Sequence, residues 1–168
     1  MPKQLPETVD FLKQAERNVR LEGVWPLAGL ERLSEVLGDN SGELYAKVSF
    51  SSGAGYLCMQ GSIDAVLVLN CQRCLEPMQH EVSERFKFGL ITNEDEADEL
   101  PTDTEPYLVE GEEQSLIDVL EDELLLSIPI AAMHQEECSE YLRQLNEKRR
   151  VEREKSNPFA VLKDLKLD

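Results

Sequence analysis

The chain has 168 residues, 41% of them apolar, and a formal net charge of −17 at neutral pH. That length supports one domain with a hydrophobic core that needs no disulfide staples. No run of 18 apolar residues occurs, which excludes a membrane-spanning helix, and the acidic excess argues against a surface that grips nucleic-acid phosphate.

The opening Met1 to Glu7 has no apolar h-region, so no secretory signal is expected. The expected compartment is the cytoplasm, where thiols stay reduced. Glu7 to Val19 reads as a short helix with Val9, Phe11 and Leu12 as its apolar residues. Arg20 to Pro26 reads as a strand ended by the proline. Leu27, Leu30, Leu33 and Leu37 recur at spacings of three and four, the stripe of an amphipathic helix over 27–37. Gly38 to Gly42 is a turn cluster. From Leu44 to Phe50 apolar and polar residues alternate, as in a strand with one buried face. Ser51 to Gly55 is expected to be a loop. Tyr56 to Gln60 and Ser62 to Asn70 are strand-like, with Gly61 predicted as a bulge or bend. Cys58 lies in the first of these and reads as a small apolar residue. Met78 to Phe88 supplies another strand.

Residues 92–106 form an acidic loop punctuated by Pro101. Tyr107 to Val109 is a short strand. Ser115 caps a helix through Ser127, with Asp118 in its first turn and Leu116, Leu120 and Leu124 on one stripe. Residues 139–156 are mostly charged and read as a solvated helix or tether. Asn157 and Pro158 then open a small helix carrying Phe159, Leu162 and Leu165. The expected fold is α+β, a mainly antiparallel β core (a small barrel or half-barrel) with flanking helices and an acidic loop. Residues 1–134 are expected to be a single α+β domain, and 135–168 a charged helical or flexible C-terminal extension.

The charge is unevenly placed. Residues 88–142 contain 17 Asp and Glu and no Lys or Arg, while the rest of the chain balances. A block of this kind attracts a basic partner; it also keeps a protein soluble, and both readings stand.

Cys71 and Cys74 form a Cys-x-x-Cys pair between two strands, and His134 and Cys138 a second pair about sixty residues on. Three readings compete. Zinc takes four soft or borderline ligands as two close pairs, which makes Cys71, Cys74, His134 and Cys138 a candidate tetrahedral set. A redox dithiol would place the first cysteine at a helix start, whereas Leu75 to Met78 continue into a strand. The third is a tight inter-strand turn that displays Arg73 and Glu76 for recognition. No catalytic residue is expected: there is no Gly-rich phosphate loop, and His80 reads as a surface residue. Glu121 to Glu123 could hold a divalent cation, but adjacent helical acids favour a solvated face.

Leu69 to Pro77, Ile117 to Ile130 with His134 and Cys138, and Asn157 to Leu162, in this order, resemble the YceD family. So do the N-terminal Leu-Pro and the strand at Leu21 to Gly23. These bacterial proteins, with plastid relatives, are described as large ribosomal RNA subunit accumulation proteins. The resemblance matches the family cysteines at Cys71, Cys74 and Cys138. It implies a cytoplasmic, non-enzymatic role in synthesis, processing or stability of large-subunit (23S) ribosomal RNA. Joined to the charge map, it suggests a basic ribosomal or assembly protein as partner. The alternatives are direct RNA binding through Arg73, Arg85 and Lys87 with Lys148, Arg149, Arg150 and Arg153, or a metal-dependent RNA-processing enzyme.

Overall fold

The computed structural model describes residues 3–53 and 55–155. Along these the chain runs β1 (Thr8–Val9), α1 (Phe11–Glu16), β2 (Arg20–Pro26), α2 (Glu31–Ser34), β3 (Glu43–Gly53), β4 (Tyr56–Asn70), β5 (Pro77–Ile91), β6 (Glu105–Leu108), β7 (Gln114–Ser115), α3 (Leu116–Ser127) and α4 (Glu140–Lys155). Five strands make one sheet in the order β2-β3-β4-β5-β6, and β1 pairs with β7 in a second, two-stranded sheet. The pairings from β2 to β5 are antiparallel; β5 and β6 are parallel.

Alternation decides which side of the sheet is covered. Leu44, Ala46, Val48 and Phe50 of β3 are buried, as are Met59, Ile63, Ala65, Leu67 and Leu69 of β4. Onto this face pack Phe11 and Ala15 of α1, Leu33 of α2, and Leu116, Leu120 and Leu124 of α3. Phe11 sits 5.5 Å from Phe50 and 5.7 Å from Tyr107, ring centroid to centroid, tying α1 to both β3 and β6. The core is thus one layer of helices on one face of a sheet, an α+β arrangement.

The expected barrel does not form: among the described residues the sheet is open. Closure would require β2 to meet β6. Instead residues 3–5 occupy the free edge of β2, through Leu5 N–H to the Val24 carbonyl (3.1 Å) and Val24 N–H to the Lys3 carbonyl (3.0 Å). At the other edge β6 is only four residues long.

Four local expectations also change. Residues 8–9 pair with 114–115, so the first helix starts at Phe11, capped by Asp10, whose side chain accepts the Lys13 N–H at 2.9 Å. The predicted helix 27–37 breaks at Leu30, which is extended, into a 3-10 turn (Leu27–Gly29) and α2. Leu27, Leu30 and Leu33 are nevertheless all buried, because two short turns present them to the core together. The loop expected at 51–55 is shorter, since β3 runs on to Gly53. Gly61 is no bulge: the register Val48↔Gly61↔Phe86 is unbroken. A Cβ at Gly61 would lie 2.5 Å from the Lys47 carbonyl oxygen and 2.6 Å from the Phe86 ring, so close approach, not bending, requires the glycine.

The acidic segment 92–106 is more than a loop. A 3-10 turn at Glu94–Glu99 leads Leu100 onto Gly89, and Asp103 pairs with Lys87 at 2.9 Å. Glu121 was expected on a solvated helix face, yet it is 4% exposed. It accepts Arg32 Nε and the Leu33 N–H, each at 2.9 Å, while Arg32 also pairs with Asp122. Carboxylates are buried only with such partners. The small helix expected from Asn157 lies outside the described residues. No helix among the described residues is long and apolar enough to cross a membrane.

Candidate metal centre

The Cys-x-x-Cys pair is the tip of the long β4–β5 hairpin. Asn70 and Pro77 are the last paired residues, and Cys71 to Glu76 turn the chain. Two backbone bonds set this turn: Cys71 N–H to the Glu76 carbonyl (2.9 Å) and Leu75 N–H to the Cys71 carbonyl (2.8 Å). Leu75 adopts a left-handed backbone, φ +66°, to complete it.

The second pair arrives from the segment after α3. Gln72 fixes that segment in place: its N–H donates to the Ala132 carbonyl (2.8 Å) and its side-chain amide to the Ile130 carbonyl (3.2 Å). Ala132 is buried against the core. His134 follows, and Cys138 stands one residue before Ser139, whose hydroxyl accepts the Leu142 N–H at 3.3 Å as α4 begins.

The structure brings Cys71, Cys74, His134 and Cys138 together, their ligand atoms all within 4.8 Å of one another. Cys71 Sγ is 3.6 Å from Cys138 Sγ, and Cys74 Sγ is 3.5 Å from His134 Nδ1. A tetrahedral zinc with its usual bond lengths has S···S edges of about 3.8 Å and S···N edges of about 3.6 Å. These two pairs therefore already stand at the spacing a zinc ion requires, and the Cys3His set could bind such a metal. All four cysteines of the chain are free thiols. The Cys-x-x-Cys sits on a hairpin tip between two antiparallel strands and not at a helix start, which is not the setting of a thioredoxin-like dithiol.

Electrostatics favour the anionic, ligating form. Burial pushes the Cys71 thiol up, but backbone N–H groups of Cys74, His134 and Arg73 outweigh it and bring its pKa down to about 5. Burial also works against the Cys138 thiolate, and the Arg73 guanidinium, Nε 3.1 Å from its sulfur, together with Cys74 and His134 overcomes it and lowers the thiol. For Cys74 the Glu76 N–H favours the thiolate, yet burial and the sulfurs of Cys138 and Cys71 carry the net shift upward. Those same two sulfurs raise His134 above the ordinary imidazole value.

Arg73 points inward. Besides Cys138 Sγ it donates to the carbonyl oxygens of His134 (3.1 Å) and Glu136. Three thiolates around a divalent ion leave one negative charge, and Arg73 lies where it offsets that charge. Glu76 is exposed, its carbonyl committed to Cys71. Sequence reasoning missed the inward role of Arg73; its position between two ligand cysteines was the available signal. His80 is half-buried, with Nε2 3.3 Å from the Ser127 carbonyl oxygen. Cys58 is buried in β4, away from the cluster, and its burial pushes the thiol up.

A family model described as "Large ribosomal RNA subunit accumulation protein YceD" matches residues 59–166, a span containing all four cluster residues. The large ribosomal RNA subunit accumulation protein YceD of Haemophilus influenzae is 36% identical over 168 aligned residues, covering 97% of each chain. No solved structure matches the chain.

Proposed function

The chain belongs to the YceD family of large ribosomal RNA subunit accumulation proteins, and on that premise we propose that it is a non-enzymatic, cytoplasmic ribosome-biogenesis factor. In this reading it supports synthesis, processing or stability of large-subunit ribosomal RNA by binding a basic ribosomal protein or assembly factor. The observation that carries the choice of partner is the stretch 88–142, with its 17 acids and no Lys or Arg. Among the described residues, the salt bridges to this stretch are Arg32 with Glu121 and Asp122 and Lys87 with Asp103. Such a field draws in a cationic protein and repels phosphate.

Zinc at Cys71, Cys74, His134 and Cys138 is a structural ion in this proposal. Four protein ligands fill a tetrahedron and leave no position for a reacting water, in contrast to catalytic sites with three. That supports a binding role over a metal-dependent RNA-processing enzyme. Direct RNA binding has one favouring observation: Lys47 and Arg85 share the uncovered sheet face with Lys87. Two of these cations are already engaged, Lys47 with Glu22 and Lys87 with Asp103, which weakens that reading.

The test is equilibrium binding of the zinc-loaded protein to individually purified large-subunit ribosomal proteins and, separately, to bare large-subunit ribosomal RNA at low salt. Binding to a basic ribosomal protein with no affinity for the RNA is expected. Binding to the RNA alone refutes the proposal.

A further inference from the structure

We infer that the exposed apolar side chains carried on the metal centre, Leu75, Ile130 and Met133, form the docking face for a basic protein segment that presents an apolar residue among lysines and arginines. This rests on the reading of a basic protein partner given above.

Leu75 is the leading observation. Its φ of +66° is the left-handed region, where a side chain is strained and glycine is the easy choice. Its side chain is also 78% exposed, so the fold gains no burial in return. A strained position that holds a large exposed apolar residue points to use outside the chain. Ile130 is fully exposed and Met133 about half. They lie on the segment that Gln72 bonds to the hairpin tip, so all three residues ride on one joined unit. Lone exposed aliphatics are ordinary, but three on a single locked unit are not.

The charge around them selects the partner. Glu76, Glu136 and Glu137 are exposed on the same two segments. Arg73, the sole cation of the hairpin tip, is turned inward onto Cys138 and backbone carbonyls. An apolar centre with a negative rim is complementary to a cationic, amphipathic protein segment. Phosphate would meet the carboxylates, and the three apolar side chains include no aromatic ring on which a base could stack.

The experiment compares wild type with Leu75→Gly and Ile130→Ser, full-length and zinc-loaded, against each purified large-subunit ribosomal protein by fluorescence anisotropy. Val66→Ser, on the opposite face of the sheet, is the control. The expected result is tenfold or weaker binding for both variants, unchanged binding for the control, and unchanged zinc content. Leu75→Gly should melt no lower than wild type. Variants that bind as tightly as wild type overturn this docking face while leaving the protein-partner reading intact. A wild type that binds only bare ribosomal RNA overturns both. Concentration-dependent dimerisation lost in Leu75→Gly would assign the face to a second copy instead, and zinc loss in that variant would make Leu75 merely structural; either result overturns the inference.

Discussion

Replacing Arg32 with alanine should expose the cost of burying Glu121. The carboxylate is 4% exposed and has two partners at 2.9 Å, the Arg32 guanidinium and the Leu33 N–H. Breaking a fully buried ion pair by removing one partner costs about 3–5 kcal/mol. The Arg32 side chain is half-exposed, so water can enter where it stood, and the Leu33 bond survives. The expected loss is therefore about 2–3 kcal/mol, below the fully buried figure. For a chain of this size that lowers Tm by roughly 4–12 °C. Urea titration and thermal melts of the zinc-loaded protein, followed by circular dichroism, measure it. The double variant Arg32→Met, Glu121→Gln should recover most of the loss, because a neutral amide needs no cation beside it and still accepts the Leu33 N–H. A single-variant loss under about 0.5 kcal/mol, the scale of an ordinary surface change, would refute the idea that Arg32 holds a buried charge. So would a double variant no better than the single.

Cys74→Ser should reduce zinc content from one ion per chain to well below stoichiometric, measured by elemental analysis after gel filtration, because three ligands hold the ion far less tightly than four. Apparent zinc affinity should rise with pH between about 5 and 9, as ligands must lose protons to bind. Cys74 is raised above the ordinary thiol range, so at neutral pH it holds a proton that zinc must displace, and His134 is shifted in the same direction, whereas Cys71 at about 5 is already a thiolate. Calorimetry in buffers of different ionisation enthalpy reads those protons directly, and a pH-independent affinity would contradict the ligand set. Gly61→Ala should cost about 1–3 kcal/mol in urea unfolding, since backbone oxygen stands where the new methyl must go.

Legibility in the sequence follows the range of the forces involved. The strand Arg20–Pro26 was readable from its proline end, and α3 from its Ser115 cap, whose hydroxyl accepts the Asp118 N–H at 3.1 Å. Alternation exposed β3 to β5, because a period of two needs only neighbours to see. The four cluster residues were visible as two spaced pairs, but their meeting depends on Gln72 reaching Ala132 and Ile130, which no spacing announces. The open sheet was illegible for the same reason: residues 3–5 capping β2 is a contact set by the whole fold. Gly61 misled because a glycine demanded by a neighbouring ring and one demanded by a bend look alike. Glu121 misled because its burial depends on Arg32, 89 residues away.

The placement of Cys138 directly before the cap of α4 has a mechanical consequence. The helix has 16 residues and so a length of about 24 Å. A tilt of about 10° at its base would displace its far end by roughly 4 Å. Lys148, Arg149 and Arg150, the first cluster of positive charge after the acidic stretch, ride on the outer half of that arm. An ion held by Cys138 would then anchor the base of that arm as well as clamp the hairpin, and so fix the direction in which these basic residues are carried.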